Sequence, residues 1–484
     1  MAVRLSEPIN STLILPFAYQ MVADLGVAKT PKDVAFYASL LFASFSVCQT
    51  MTIMYWSRLS DRIGRRPVII VGLVGYLVSF LLFGLSRTFT WALATRCLNG
   101  LLAGNVAVIK SVIAEISDDS NRARMMALLP LTWNIGMVIG SAIGGIFVDP
   151  ARQYPGLFGD SKIFRTFPYL LPCLIGCSVT VFGLIMSAFK LEETLVREPV
   201  RKKVVRQTPT PASSSSTLAT ENTHLLVDNE STEDGPRQLT YRELLTPTVV
   251  RVMMTNVFMA LSVAVNDTGY PIFAASDPSD GGLGFTSRGI GFSLALSGVA
   301  VMYLQLVTYP RMERKYGALY CYQFGQRIII PFYLAIPFLS ILAARTEETI
   351  SHSSTWSQLT LVDSMLWILL IALLLIRTVG IVLAFTSINL LTANLAPSRT
   401  ELGFMNGIQQ VAMSSTRFIG PILAGAVWSW SIKHDFPYPF NSHMVWVLCA
   451  VLTAVSLHLT FKLPAEVNTF AAGDRRRDSM DEEA

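Results

Sequence analysis

The feature that most constrains this chain is a succession of apolar runs, each about 20 residues long, divided by short polar stretches. A helix rises ~1.5 Å per residue, so about 20 mostly apolar residues match a ~30 Å hydrocarbon core. A large soluble core would instead place its apolar residues at periods of 2 or 3.6. Of the 484 residues, 52% are hydrophobic and 15% charged, whereas soluble chains carry about 25% charged residues. The runs fall at 5–24, 34–56, 68–86, 89–113, 125–147 and 166–189, then at 247–272, 286–309, 318–344, 360–388, 401–430 and 442–462. The expected fold is an all-α membrane protein of twelve transmembrane helices.

Between the sixth and seventh runs the composition changes abruptly. The stretch 190–246 begins basic (Arg197, Arg201, Lys202, Lys203, Arg206), turns Pro/Ser/Thr-rich and ends acidic around Asp228 to Asp234. Such a segment buries too little apolar surface to offset its ordering entropy, so a disordered connector is expected. The expected organisation is a first bundle over 1–189, the connector 190–246, a second bundle over 247–462 and a tail over 463–484. Lys and Arg concentrate on the side of 57–67, the long connector and the C-terminus, which places both termini and the connector in the cytosol. Within the connector, Glu221-Asn222-Thr223-His224-Leu225-Leu226 looks like an acidic dileucine sorting pattern.

Several function classes drop out. The formal charge of +5 sits in topogenic loops with no nucleic-acid motif, so no nucleic-acid partner is expected. Six cysteines, all in apolar runs, show neither a disulfide framework nor C-x-x-C spacing. Five scattered histidines argue against a zinc cluster, and neither metal nor cofactor is expected. "MAVRLSEPIN" has no basic n-region leading into a clean apolar run, so no signal peptide is expected. An enzyme reading finds no nucleophile or metal set, and no GxxxxGK[ST] is present to support direct ATP drive.

The two halves carry a weak repeat. "LATRCLNGLLAGNVAV" and "LLIRTVGIVLAFTSINL" each hold an Arg deep in an apolar run, Arg96 and Arg377, followed by a Gly. Halves related by an axis along the membrane normal are one transporter design, so two six-helix bundles in pseudo-two-fold relation are expected. A charge at bilayer depth costs a few kcal/mol upward, so such residues face a cavity or a partner. Glu7, Arg96 and Arg377 are ionisable residues in runs one, four and ten, and Asn10, Asn99, Asn134, Asn266 and Gln409 are polar ones.

Three local patterns add detail. Ser57-Arg58-Leu59-Ser60-Asp61-Arg62-Ile63-Gly64-Arg65-Arg66-Pro67 joins the second and third runs on the basic side. Asp61 can accept backbone N–H bonds at a neighbouring helix N-terminus, Gly64 permits a tight turn, and Pro67 opens the next helix. Gly136, Gly140 and Gly144 recur every four residues and share one helix face, which with Gly145 allows close approach of a partner helix. Arg96 is followed by Gly100, with Asn99 before it.

Together these patterns resemble the major facilitator superfamily. The loop matches its cytoplasmic signature G-x-L-[GAS]-D-[RK]-x-G-R-[RK] except at Ser57. The glycines resemble the antiporter motif G-x-x-x-G-P-x-x-G-G with Ser141 in place of proline, and the buried Arg matches the fourth-helix signature. The resemblance is greatest to the twelve-helix drug:proton antiporter group, and "LSEP" is similar to the opening of fungal and plant transporters like the zinc-induced facilitators. In those, more apolar sequence precedes "LSEP", which implies a first helix short of its beginning.

The resemblance implies that Asp61, Arg62, Gly64, Arg65 and Arg66 form a conformational latch, with Glu115 as the acid at the end of the fourth helix. It implies proton coupling for Glu7, Arg96 and Arg377, and a substrate cavity for Asn10, Asn99, Asn134, Asn266 and Gln409. It implies a proton-coupled exporter of a small organic solute or drug, acting as a monomer in the plasma or vacuolar membrane, with the bilayer, the solute and protons as its partners. The alternatives are an importer or uniporter of a sugar- or peptide-like solute, and a non-transporting sensor or scaffold whose connector recruits partners.

Overall fold

A computed structural model describes residues 2–116, 122–194, 246–344, 356–395, 399–434 and 443–468; the side chains of some residues near these limits, including Glu115, lie outside the described set. So do most of the connector with Glu221–Leu226, and the end of the tail. Among the described residues all regular structure is helical. We number the principal helices α1 (Ala2–Leu13, continuing beyond a break as Ala18–Asp24), α2 (Val34–Ile63), α3 (Arg65–Gly84), α4 (Phe89–Leu102, continuing as Asn105–Ile116), α5 (Arg122–Phe147) and α6 (Leu170–Lys190). The second set is α7 (Pro247–Ala275), α8 (Ser287–Tyr316), α9 (Ala318–Ala344), α10 (Trp356–Asn394), α11 (Arg399–Lys433) and α12 (Met444–Thr460). Seven of them are long and apolar enough to cross a bilayer by length and composition, and two shorter apolar helices accompany them.

Pairing makes the repeat visible. In the first half α1 packs on α5 and α6, α2 on α4, and α3 on α4 and α6; in the second α7 packs on α11 and α12, α8 on α10, and α9 on α10 and α12. Adding six to each helix number converts one list into the other. The halves meet along two seams, α2 with α11 and α5 with α8. This is the two-bundle arrangement the sequence led us to expect.

Two expected spans are not continuous helices. The first breaks after Leu13 ahead of Pro16 and resumes at Ala18, consistent with the helix-breaking action of proline. The fourth breaks at Ala103-Gly104. Two long side chains of α2 cover the freed carbonyls: Trp56 Nε1 donates to the Leu101 oxygen at 2.7 Å and Gln49 Nε2 to that of Ala103 at 3.2 Å. Backbone at bilayer depth must be satisfied internally, and these bonds do so. A further irregularity is a π-helical turn, Leu304–Thr308, inside α8. Three short helices, Pro150–Gln153, Pro155–Phe158 and Lys162–Thr166, precede α6, so it starts at Leu170 and not at residue 166.

Candidate functional site

The signature loop is a one-residue turn. Gly64, at φ 114°, separates α2 from α3, a conformation that side chains rarely tolerate. Asp61 pairs with Arg65 of the next turn at 2.6 Å, and Arg65 also donates to Ser60 Oγ at 2.6 Å. Arg66 Nη2 donates to the Ala188 carbonyl at the end of α6 at 2.6 Å, and Arg62 is exposed in the last turn of α2. The acceptor at the α3 N-terminus is Glu193, which follows α6: its carboxylate oxygens take the backbone N–H of Arg65 at 2.7 Å and of Arg66 at 3.1 Å. The sequence reading gave that role to Asp61. The structure gives it to Glu193, because the helix dipole and the free N–H groups of α3 face the end of α6.

The glycine face finds its partner inside its own bundle. A Cβ on Gly136 would run into Pro8, one on Gly140 into Thr12 and the Ile9 carbonyl, and one on Gly144 into the Leu13 carbonyl, all on α1. Thr12 Oγ1 donates to the Gly136 carbonyl at 3.1 Å across the same contact. Gly145 points the other way, over the seam between halves: a Cβ there would lie 2.8 Å from the Ser287 carbonyl and 2.9 Å from Gly291 Cα.

The polar candidates separate into interior fasteners and cavity residues. Arg96 is 2% exposed and lies between the rings of Phe45 at 4.8 Å and Phe83 at 5.7 Å; Nε reaches the Leu41 carbonyl at 3.5 Å, while among the described residues Nη1 finds no hydrogen-bond partner. Asn10 joins α1 to α6 through Thr180 at 2.9 Å, Asn99 joins α4 to α3 through Ser79 at 2.9 Å, and Gln409 joins α11 to α10 through Asn389 at 2.7 Å. Arg377 pairs with Asp267, and with the Asn266 amide oriented to satisfy both groups its Nε donates to the Asn266 oxygen at 2.9 Å. Asp267, the neighbour of Asn266 on α7, is therefore the counter-charge of Arg377.

Glu7 stands apart from Arg96. Its carboxylate pairs with Arg4 at 2.6 Å and accepts from Gln49 Nε2 at 2.9 Å. The Arg4 guanidinium lies 5.9 Å from the Trp133 ring, and on that ring Arg417 of α11 lies at 5.8 Å. Trp133 thus joins cations from both halves. Next to it Asn134 donates to Gln305 at 2.6 Å, a residue that the π turn of α8 presents to α5. A pocket opens between α2 and α11, lined by Ser46, Gln49, Thr50, Ile53, Gln410, Ser414 and Arg417. Sequence reasoning missed Arg4, Gln49, Gln305 and Arg417; the one available signal was an arginine in the middle of the eleventh run.

At the end of the bundles away from the signature loop, further contacts tie the halves. Lys433 pairs with Asp33, Lys32 Nζ donates to the Ile432 carbonyl at 3.0 Å, Ser287 Oγ to Gln20 at 2.9 Å and Arg288 to the Tyr154 hydroxyl at 3.0 Å. The site therefore lies at the junction of two bundles held at one end.

The family model for the Major Facilitator Superfamily matches residues 3–421. A multidrug transporter of Aspergillus fumigatus, mfsB, is 29% identical, the match covering 93% of this chain and 80% of that protein. Protein ZINC INDUCED FACILITATOR 1 of Arabidopsis thaliana is 28% identical over 94% of this chain and 88% of its own. Among solved structures, a bacterial homologue of the human lysosomal transporter Spinster, in an inward-facing and occupied conformation, has the same fold at TM-score 0.64 and 12% identity, over 95% of this chain and 94% of that one. With its paired six-helix bundles, its loop signature and this match across most of its length, the chain belongs to the Major Facilitator Superfamily.

Proposed function

We propose that this membrane transporter exports a small organic solute in exchange for protons, by alternating access of the pocket between α2 and α11. The observation that carries the reading is the chain of contacts from Glu7 through Arg4 to Trp133 and Arg417. Ionised Glu7 holds Arg4 against Trp133, and Trp133 presents its other contacts to Arg417 of the opposite half. Protonation of Glu7 removes the charge that fixes Arg4, so the wall of the pocket loosens. Proton and solute then exclude one another, which is the requirement for exchange. The multidrug description of mfsB supports the outward direction and a small organic cargo.

The ties at Asp33–Lys433, Lys32–Ile432 and Gln20–Ser287 support a conformation closed at the end away from the signature loop. In this reading the loop, with Asp61, Arg65, Arg66 and Glu193, locks the opposite end in the other half of the cycle.

Purified protein in proteoliposomes, given a panel of labelled organic solutes with and without a pH gradient, tests this. Native protein should concentrate at least one solute against its gradient when protons flow the other way. Glu7→Gln should lose that driven transport and retain exchange of solute for solute. Driven accumulation by the Glu7→Gln protein would overturn the coupling scheme.

A further inference from the structure

Among the described residues, the pocket between the halves holds a cation, Arg417, with no ion-pair partner of its own. Arg417 stands midway along α11, exposed to the pocket, and among the described residues its side chain makes no hydrogen bond or ion pair. The guanidinium lies 5.8 Å from the Trp133 ring centroid. The charged groups acting on it are Glu7 and Arg4, which already pair with each other at 2.6 Å. Among the described residues the local charge is therefore one guanidinium in excess.

An arginine at such depth costs several kcal/mol unless water or a partner meets it. Other transmembrane arginines of this chain illustrate the alternatives: Arg377 has Asp267, and Arg96 is packed between two aromatic rings. Arg417 has one ring face and an open side lined by Gln49, Gln410, Ser46 and Ser414. A guanidinium offers a planar fork of donors that fits a carboxylate or similar oxyanion, and the indole beside it offers a stacking face.

From this geometry we infer that the pocket binds a planar organic anion, its acidic group on Arg417 and its ring against Trp133. The inference rests on the transport reading and names the class of its cargo. The anion meets the neutralised Arg4–Glu7 pair and not a bare carboxylate, so its charge is compatible with ionised Glu7. Because Arg417 belongs to the second half and Trp133 to the first, the bound anion bridges the bundles where they must rock against one another.

The test is binding to the full-length protein in detergent, with naphthalene-2-carboxylate as probe and naphthalene-2-carboxamide and naphthylmethylammonium as neutral and cationic counterparts of the same shape. Native protein should prefer the carboxylate. Arg417→Gln should weaken it by about 10- to 100-fold, the loss of charge-assisted bonds. Arg417→Lys, which keeps the charge and loses the fork, should fall between the two, and it guards against misfolding of the neutral variant. Equal or better binding of the amide or the ammonium overturns the inference, as does absence of carboxylate binding or an Arg417→Gln protein of native affinity. Alternating access is read separately, from alkylation of a Ser46→Cys protein from either side of the membrane. Two-sided access with no carboxylate preference would refute the anion site and leave the transport reading standing.

Discussion

Gly145→Ala isolates the moving seam from the fixed one. Neighbouring glycines of α5 pack against different bodies: Gly144 on the Leu13 carbonyl of its own bundle, Gly145 on the Ser287 carbonyl and Gly291 Cα of the other. A methyl on either meets backbone at 2.9 Å or closer, and backbone cannot swing aside as a side chain can. Over-packing of this kind costs about 1–3 kcal/mol. At Gly144 the cost falls on α1 in every conformation and lowers stability throughout. At Gly145 it falls only when α5 and α8 are closed on one another. The same about 1–3 kcal/mol then disfavours this state relative to its alternative, a population shift of about 5- to 150-fold. Distances between spin labels near the ends of α2 and α11, measured by pulsed dipolar spectroscopy, report the populations; thermal unfolding in detergent reports stability. We expect Gly145→Ala to lengthen the distances at the Asp33–Lys433 end with little loss of stability, and Gly144→Ala to do the reverse. An unchanged distance distribution in Gly145→Ala, or a stability loss equal to that of Gly144→Ala, would refute the assignment of α5–α8 as the moving seam.

Three further outcomes are expected. Glu193→Ala should cost about 0.5–2 kcal/mol by uncapping α3 and should speed hydrogen exchange at the amides of Arg65 and Arg66; unchanged protection there would return the capping role to another group. Arg96→Met should leave stability equal or higher by up to about 3 kcal/mol, since it removes a buried cation with an orphan Nη1, while turnover falls; a loss of about 3–5 kcal/mol would instead make Arg96 a structural pin. Asp33→Asn should weaken closure by less than about 1 kcal/mol, as the pair is partly exposed, and the effect should shrink in high salt; a shift that salt leaves unchanged would contradict an electrostatic tie.

What could be read from the sequence follows from the range of each signal. Apolar run length gave the helices, since the bilayer sets one scale for all of them, and the loop 57–67 could be placed because its residues are contiguous. The repeat of Arg96 and Arg377 anticipated the matching helix pairings, although the two arginines have different surroundings. Long-range partners left no local trace. Asp267 and Arg377 lie 110 positions apart, Glu193 meets Arg65 across 128, and Asn134 meets Gln305 across 171. Gly136, Gly140 and Gly144 announced a close approach without saying that α1 makes it. The α4 break escaped notice because "LAGNVAV" is as apolar as its surroundings; the bonds from Gln49 and Trp56 that sustain it come from another helix. Arg417 was hidden by its helix, whose Gln409, Gln410, Ser414 and Ser415 give it the composition of a polar cavity wall.

In the proposed cycle the ionised Glu7 carboxylate builds the solute site and a proton dismantles it. Proton release on binding tests this directly. Purified protein in weakly buffered detergent, over a series of starting pH values, is mixed with a transported solute while a pH indicator is followed. Solute binding should release protons in the native protein and none in Glu7→Gln. Proton uptake on binding, or release that survives in Glu7→Gln, would contradict it.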